Sequence, residues 1–155
     1  MNAEIRPANG DADMDLVRIL LREYADWVGT DLYFQNFEQE VAGLPGSYAA
    51  PRGALLIAMS GPDAAGCIAV RPFHDDVCEM KRLFVRAAFR GTGLGRRLAL
   101  AIMEEARTLG YRRMRLDTLP QQTDAHRLYA SLGFREIEAY RENPIAGSRF
   151  LELDL

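Results

Sequence analysis

The most constraining feature of the sequence is an abrupt change of pattern at residue 90. Three strand-like segments come first, Ala54–Met59, Gly66–Phe73 and Val77–Arg86, and the turn residues between them are typical of an antiparallel meander. A glycine-rich segment, Arg90–Gly95, then opens an amphipathic helical segment that ends at Gly110. Because the helical period begins directly after the glycines, the chain must pass from a sheet into a helix at this loop.

The remaining segments predict an α/β fold with a mixed, mostly antiparallel sheet flanked by helices. Further strands are predicted at Ala3–Pro7, Arg112–Asp117, Phe134–Tyr140 and Ser148–Leu153, and further helices at Asp11–Trp27, Gln35–Leu44 and Thr123–Leu132. The strand–helix–strand order after the glycine-rich loop implies a right-handed crossover and a parallel pair of strands. A chain of 155 residues with 48% hydrophobic content favours a single domain, residues 1–155.

The charges are spread unevenly along the chain. Residues 1–70 hold four arginines against ten Asp and Glu residues, whereas residues 81–115 hold ten basic residues against Glu104 and Glu105. A basic stretch of this size predicts a polyanionic ligand, either nucleic acid or a phosphorylated cofactor. The net charge of −3 and the lack of aromatic residues interleaved with basic ones argue against nucleic acid.

Several other classes of protein are disfavoured. No apolar run approaches the roughly 20 residues that a membrane span requires, so we expect no membrane partner. Residues 1–6 lack the basic start and apolar stretch of a signal peptide, which favours a cytoplasmic protein. We interpret Cys67 and Cys78 as buried free thiols, and together with His74 and His126 they do not predict a metal site.

The glycine-rich loop is suited to an anionic ligand. Glycines at 91, 93 and 95 let the backbone approach a ligand closely and take positive φ. The loop leads into a helix N-terminus, where unpaired N–H groups favour anions, and Arg90 and Arg96 add positive charge. A pyrophosphate would fit this environment. The spacing matches neither the dinucleotide fingerprint nor the P-loop, so a flexible turn without a ligand is the alternative on spacing alone.

Two motifs together resemble the GNAT N-acetyltransferase superfamily. The segment Arg90–Gly95 matches Gln/Arg-x-x-Gly-x-Gly/Ala, and Ala125, Leu128-Tyr129 and Leu132–Phe134 match A-x-x-L-Y-x-x-L-G-F. Both occur in the family's order and at its spacing, and the pair is far more specific than either motif alone. The resemblance implies a GNAT-like single domain with a V-shaped splay between the fourth and fifth strands.

The resemblance also implies where acetyl-CoA would bind. Its pantetheine arm would pair with the strand backbone at Leu83, Phe84 and Val85. Its diphosphate would lie on the amides of the loop, in agreement with the reading from the residues themselves. The loop residues implied are Arg90, Gly91, Thr92, Gly93, Leu94, Gly95 and Arg96. Gln122 stands where many members have an Asn that contacts the pantetheine arm, so that contact would be lost or reshaped.

Two residues are candidates for the chemistry of acyl transfer, which needs a base for the amine and an acid for the leaving thiolate. Tyr129 matches the family tyrosine whose hydroxyl faces the coenzyme sulfur, although its helical spacing also suits a core tyrosine. Glu79 stands where some members place a catalytic glutamate. The alternative for Glu79 is an ion pair with Lys81 or Arg82.

The predicted function is therefore transfer of an acetyl group from acetyl-CoA to the primary amine of a small molecule or peptide, in a ternary complex and without a metal. The acidic first seventy residues weakly favour a cationic acceptor, and the resemblance also allows a homodimer. Candidate acceptor-binding residues are Glu23, Tyr24, Trp27, Tyr33, Phe34, Tyr140, Asn143 and Arg149. The alternative function is a non-catalytic acyl-CoA-binding sensor or regulatory module of the same fold.

Overall fold

The computed structural model describes residues 2–29 and 36–155, which form seven strands and four α-helices. The strands are β1 (Glu4–Pro7), β2 (Ala54–Ser60), β3 (Asp63–His74), β4 (Val77–Val85), β5 (Arg113–Thr118), β6 (Arg135–Ile137) and β7 (Arg149–Asp154). The helices are α1 (Gly10–Val28), α2 (Phe37–Ala42), α3 (Leu94–Thr108) and α4 (Thr123–Ser131). Tyr33, Phe34 and the predicted helix start at Gln35 lie outside the described residues.

The strands form one sheet in the order β1-β2-β3-β4-β5-β7-β6, and all neighbours are antiparallel except β4 and β5. The parallel pair is held together only at its start, from Val77 opposite Arg113 to Glu79 opposite Arg115. Beyond this point β4 continues to Val85 and β5 to Thr118 without further pairing between them. The predicted V-shaped splay between the fourth and fifth strands is therefore present.

A bulge in β4 accompanies the splay. Cys67 and Ala69 of β3 are separated by one residue, whereas their partners Phe84 and Lys81 are separated by two. The extra residue is accommodated at Arg82, whose φ of 64° lies in the left-handed region. The sequence predicts a regular strand here, because an arginine carries no local signal for this conformation. The bulge brings Lys81 and Arg82 into consecutive buried positions.

The sheet separates two hydrophobic clusters. One cluster lies under α3 and α4 and includes Leu98, Ile102 and Met114. The other lies under α1 and α2 and includes Val17 and Leu20. Each helix contributes an apolar stripe at the helical period and exposes its charged side. The splay lies between the two clusters, so a ligand entering it would contact both layers.

The predicted elements are confirmed in order and type, and the differences lie at their ends. The first helix begins at Gly10, and the second covers Phe37–Ala42 rather than Gln35–Leu44. The strand predicted at Phe134–Tyr140 pairs only over Arg135–Ile137, where it faces β7. Tyr140 lies beyond this strand, and its hydroxyl donates a hydrogen bond to Glu79. Cys67 and Cys78 are buried free thiols, as predicted.

Candidate active site

The glycine-rich loop between β4 and α3 has a backbone that depends on glycine. Gly91 and Gly93 take φ of 77° and 83°, and Gly93 is the N-cap of α3. A Cβ added at either position would meet nothing within 4 Å, so their conformation rather than crowding requires glycine. The loop leads into the N-terminus of α3, where the first backbone N–H groups have no partner within the helix and can bind an anion.

A cleft of about 280 Å³ lies between this loop and helix α4. It is open to solvent and mostly apolar, apart from the loop backbone and a few polar side chains. The end of β4 forms one wall of the cleft through Leu83, Phe84 and Val85. This part of the strand is not paired with β5. The other lining residues are Trp27, Phe89, Arg90, Gly91, Gly93, Leu94, Gly95, Gln122, Asp124, Ala125, Leu128 and Tyr129. The structure therefore brings together most residues proposed from the sequence for the cofactor.

Two of the proposed loop residues, Thr92 and Arg96, lie beside the cleft rather than on its described wall. The Thr92 hydroxyl donates a hydrogen bond of 2.6 Å to the carbonyl of Phe89 and stabilises the loop. Arg96 donates a 3.0 Å hydrogen bond to the hydroxyl of Ser131 on α4. Its charge is thus held near the rim of the cleft, at the N-terminal end of α3.

Arg90 has a defined position at the mouth of the cleft. Its Nε donates a 2.9 Å hydrogen bond to the carbonyl of Val85, and its guanidinium lies 4.8 Å from the centroid of the Trp27 ring. A cation over an indole face is favourable. Trp27 is 47% exposed and lines this cleft.

The cleft continues into a narrow crevice of about 30 Å³, where β4 and β5 diverge. Leu83, Gln122 and Tyr129 line both spaces, so they mark the junction. A crevice of this volume accommodates a water molecule or a small polar group rather than a chain of atoms. The junction is consequently the place where the reactive end of an extended ligand in the cleft would meet buried polar side chains.

Tyr129 is 6% exposed at this junction, and its ring packs edge-on against Phe134 with a centroid distance of 5.6 Å. Its hydroxyl forms no hydrogen bond with the described residues. Burial raises the pKa of its phenol, so the hydroxyl keeps its proton at neutral pH. Gln122 is the N-cap of α4, and its side-chain oxygen accepts a 2.9 Å hydrogen bond from the amide of Leu119.

The cleft, the splayed strands and the loop can be compared with known proteins. The sequence model of the Acetyltransferase (GNAT) family matches residues 14–134. The chain belongs to the GNAT family of N-acetyltransferases. An uncharacterised N-acetyltransferase of Schizosaccharomyces pombe is 40% identical over 99% of this chain and 96% of its own. One from Dictyostelium discoideum is 31% identical over 92% of this chain and 94% of its own.

The fold of this GNAT chain also matches solved structures. The PaiA N-acetyltransferase of Thermoplasma acidophilum, solved in complex with coenzyme A, superposes with a TM-score of 0.77. The two sequences are 19% identical, and the match covers 100% of both chains. At this identity the comparison concerns the fold alone, and it agrees with the sheet order and the splay described above.

Glu79 lies outside the described lining of the cleft and is fully buried among three donors. Its Oε1 accepts a 2.9 Å hydrogen bond from Nε of Arg71, and its Oε2 is paired with Arg141 at 2.5 Å. The hydroxyl of Tyr140 donates a further 2.8 Å hydrogen bond to Oε2. Burial opposes ionisation, but the charges of Lys81, Arg71 and Arg141 outweigh it and hold the pKa of Glu79 below its ordinary value.

The sequence alternative for Glu79 was an ion pair with Lys81 or Arg82. In the structure Glu79 is ion-paired, but its partners are Arg71 and Arg141. Lys81 instead lies 3.6 Å from Asp117 of β5, and both side chains are about 95% buried. Burial lowers the pKa of Lys81 to about 8, although the Asp117 carboxylate favours the charged form. Arg82 pairs with Glu40 of α2 through hydrogen bonds of 2.7 and 3.0 Å. Lys81 reaches Asp117 because it continues the register of β4 and β5 beyond Glu79 opposite Arg115, whereas the bulge changes the direction of the Arg82 side chain.

Two other acceptor candidates from the sequence are engaged elsewhere. Glu23 pairs with Arg86 at 2.6 Å, and Arg149 lies 3.6 Å from Glu136. Tyr24 remains a candidate, since it lines the crevice and packs edge-on against Phe84 with a centroid distance of 6.1 Å.

Sequence reasoning missed several polar residues near the site. Lys81 and Asp117 were not singled out as a pair, because they are 36 positions apart and meet only where two strands diverge. Arg71 and Arg141 were missed for the same reason. The register of β3 and β4 places Arg71 directly opposite Glu79, and only the fold reveals this pairing.

Within residues 2–29 and 36–155, no group of three or more His, Cys, Asp or Glu side chains could hold a metal ion. None of the helices there has both the length and the apolar character to cross a membrane.

Proposed function

We propose that this protein transfers an acetyl group from acetyl-CoA to the primary amine of a small molecule or peptide, directly and in a ternary complex. The observation that supports the proposal is the meeting of two spaces at Tyr129. A cleft bordered by helix N-terminal amides ends at a crevice that contains a buried lysine and a buried carboxylate. The acyl donor would occupy the first space and the amine would approach the second.

The residues of the cleft fit coenzyme A. The diphosphate would be held by backbone amides from Gly91 to Arg96, where positive φ at two glycines turns the backbone towards the ligand. The unpaired edge of β4 at Leu83–Val85 would hydrogen-bond to the amide groups of the pantetheine arm. Arg90 and Arg96 would add charge at the rim. The bound donor supplies a thioester carbonyl for attack by the amine.

Tyr129 would protonate the leaving sulfur. As the amine nitrogen bonds to the carbonyl carbon, the carbon–sulfur bond breaks, and the sulfur takes the phenolic proton of Tyr129. A phenol whose hydroxyl makes no hydrogen bond to the described residues is available for this role. The amide N–H of Leu83 or Phe84 is the proposed donor to the carbonyl oxygen as negative charge develops there.

Two groups are proposed to take the proton from the amine. Glu79 is the candidate from the sequence, but accepting a proton would require it to give up a bond to Arg71, Arg141 or Tyr140. Lys81 is the candidate from the structure, because it lines the crevice and its pKa of about 8 leaves part of it neutral near physiological pH. The two candidates predict different pH–rate profiles, as described in the Discussion.

The direct test combines binding and turnover. Calorimetric titration with acetyl-CoA should give a saturable binding heat, and incubation with a library of amines should release free thiol only when an acceptor is present. Binding without thiol release from any amine would favour the sensor. Absence of any binding heat would contradict both functions.

A further inference from the structure

We propose that the acceptor amine carries a carboxylate, which is bound by Arg71 and Arg141 in a cavity beside the crevice. This inference rests on the proposed acetyl transfer and names the class of its second substrate. The cavity has a volume of about 370 Å³, and its described lining is part polar and part apolar. The lining residues are Asn36, Gln39, Glu40, Gly43, Pro45, Gly46, Ser47, Tyr48, Arg71 and Arg141.

Arg71 and Arg141 carry more positive charge than Glu79 neutralises. Both guanidiniums are paired with the same carboxylate, that of Glu79, so the three side chains together keep a net charge of +1. Glu79 is fully buried, whereas the side chains of Arg71 and Arg141 are 26% and 28% exposed. The uncompensated charge is therefore presented to the cavity rather than to the core. A carboxylate is the common small anion that matches this geometry.

Most N–H groups of the Arg71 and Arg141 guanidiniums are not used by Glu79. Glu79 takes Nε and Nη2 of Arg71 but only Nη2 of Arg141. Among the described residues, nothing else accepts a hydrogen bond from either guanidinium. Each guanidinium has five N–H donors, so most of the donors in the pair are available to a ligand. Because Glu79 holds both groups from behind, they are already oriented, and little side-chain entropy would be lost on binding.

Tyr48 places a buried hydroxyl in the same cavity as Arg71 and Arg141. Tyr48 is 2% exposed, and among the described residues its hydroxyl has no hydrogen-bond partner. Burying a hydroxyl without a partner costs free energy, and such groups in native proteins call for an explanation. Burial raises the pKa of this phenol, the positive charge of Arg82 opposes that rise, and the neighbouring Glu40 carboxylate adds to it. The phenol therefore stays protonated, and it would donate a hydrogen bond to a carboxylate between the arginines.

The cavity lies at a suitable distance from the crevice. Glu79, which holds the arginine pair, and Lys81 are two residues apart on β4, so their backbones are separated by about 7 Å along the strand. One ion pair forms the boundary, since Arg82 lines the crevice and its partner Glu40 lines the cavity. An amino acid with a hydrogen bond at each end spans a distance of this order. Its carboxylate would bind the arginines while its amine pointed towards Lys81.

The inference reverses the cationic acceptor that the acidic first seventy residues suggested. Carboxylates of that region are neutralised within the fold, because Asp13 pairs with Arg6, Glu23 with Arg86 and Glu40 with Arg82. The negative net charge of residues 1–70 therefore does not predict the charge of the acceptor cavity.

The experiment compares acceptors that differ in charge but not in size. Aspartate and glutamate are compared with their diamides, in which both carboxylates are replaced by carboxamides, and with the diamine putrescine, using thiol release from acetyl-CoA. We expect the anionic amines to give the higher kcat/KM. In Arg71→Met and Arg141→Met the KM for the anionic amines should rise about tenfold or more, with the Kd for acetyl-CoA unchanged. Tyr48→Phe should raise the same KM by a smaller factor.

The matched control is Arg107→Met, which removes an exposed arginine of α3 that pairs only with Glu104 among the described residues. This variant should change neither constant. Turnover confined to neutral or cationic amines would overturn the inference and leave the acetyl transfer intact. If no amine is turned over, calorimetry of aspartate and glutamate on the protein saturated with coenzyme A decides. Binding that both arginine variants weaken would support the inference, and absence of binding would refute it.

Discussion

The ammonium group of Lys81 lies 3.6 Å from the carboxylate of Asp117, across the gap where β4 and β5 diverge. The strands no longer exchange backbone hydrogen bonds at this level, so the two side chains join the arms of the splay. A buried ion pair of this kind is weak evidence for stability, because desolvation offsets much of the attraction. Because the pair lines the crevice beside Tyr129, we infer that its role is to control the protonation state of Lys81 there.

The stability of the protein should depend on Lys81 in a defined pH range. Its folded pKa of about 8 is below its ordinary value of 10.5, so between these values the unfolded chain binds more protons. The free energy of unfolding therefore gains from Lys81 as the pH rises through this window, by about 3 kcal/mol in total. Urea titrations at several pH values should show this rise relative to Lys81→Met, in which it is absent.

Other groups that titrate in this range, including the two cysteines, are common to both proteins and cancel in the difference. The double variant Lys81→Met/Asp117→Asn removes the carboxylate that the single variant leaves unpaired. A pH-independent difference between wild type and both variants would show that Lys81 keeps its ordinary pKa in the folded protein.

Replacing Tyr129 by Phe should lower kcat by about tenfold or more and leave the Kd for acetyl-CoA nearly unchanged. The ring contact with Phe134 is kept, and the lost hydroxyl makes no hydrogen bond to the described residues, so stability should change little. Steady-state kinetics and calorimetry measure the two effects. The matched control is Tyr111→Phe, which loses a 2.7 Å hydrogen bond to Arg52 and should reduce stability without affecting kcat. An unchanged kcat in Tyr129→Phe would remove the residue from the mechanism.

The base is identified by the pH dependence of kcat with a saturating acceptor. If Lys81 accepts the proton, kcat should rise with pH through an inflection near 8, because only the neutral amine is a base. Lys81→Met should lose this inflection, and Glu79→Gln should keep it. Since the pKa of Glu79 is already below 4.5, loss of the inflection in Glu79→Gln alone would instead place the carboxylate in the proton path.

The glycine-rich loop predicts different effects at two neighbouring glycines. Gly93→Ala forces a side chain into a left-handed conformation, which should cost about 1 kcal/mol and weaken binding of acetyl-CoA. Gly95→Ala lies in helix α3, where a Cβ would be 3.8 Å from Leu128, an ordinary contact. It should therefore raise stability by about 0.5–1 kcal/mol and retain binding. Gly95→Leu would extend into the cleft and should abolish binding. Thermal denaturation and calorimetry test the series, and equal affinity in all three variants would exclude the loop from cofactor binding.

The sequence was most informative where function depends on the backbone. Positive φ at Gly91 and Gly93 and the helix start at Leu94 follow from local residue types, because glycine and helical period act over a few positions. The two motifs also sufficed to predict the family and the splay. Tyr129 reaches the cleft through its place on a short helix, which local pattern also determines.

What the tertiary structure decided is the pairing of charges, because it depends on register between distant segments. The partners of Glu79 come from β3 and from the segment after β6, and Lys81 meets Asp117 just beyond the point where β4 and β5 stop pairing. By itself the sequence determined the fold, the family and the glycine-rich loop, whose physics is local. Only the folded chain determined which charges are neutralised and which remain to face a ligand, since electrostatic interactions depend on distances that sequence spacing does not encode.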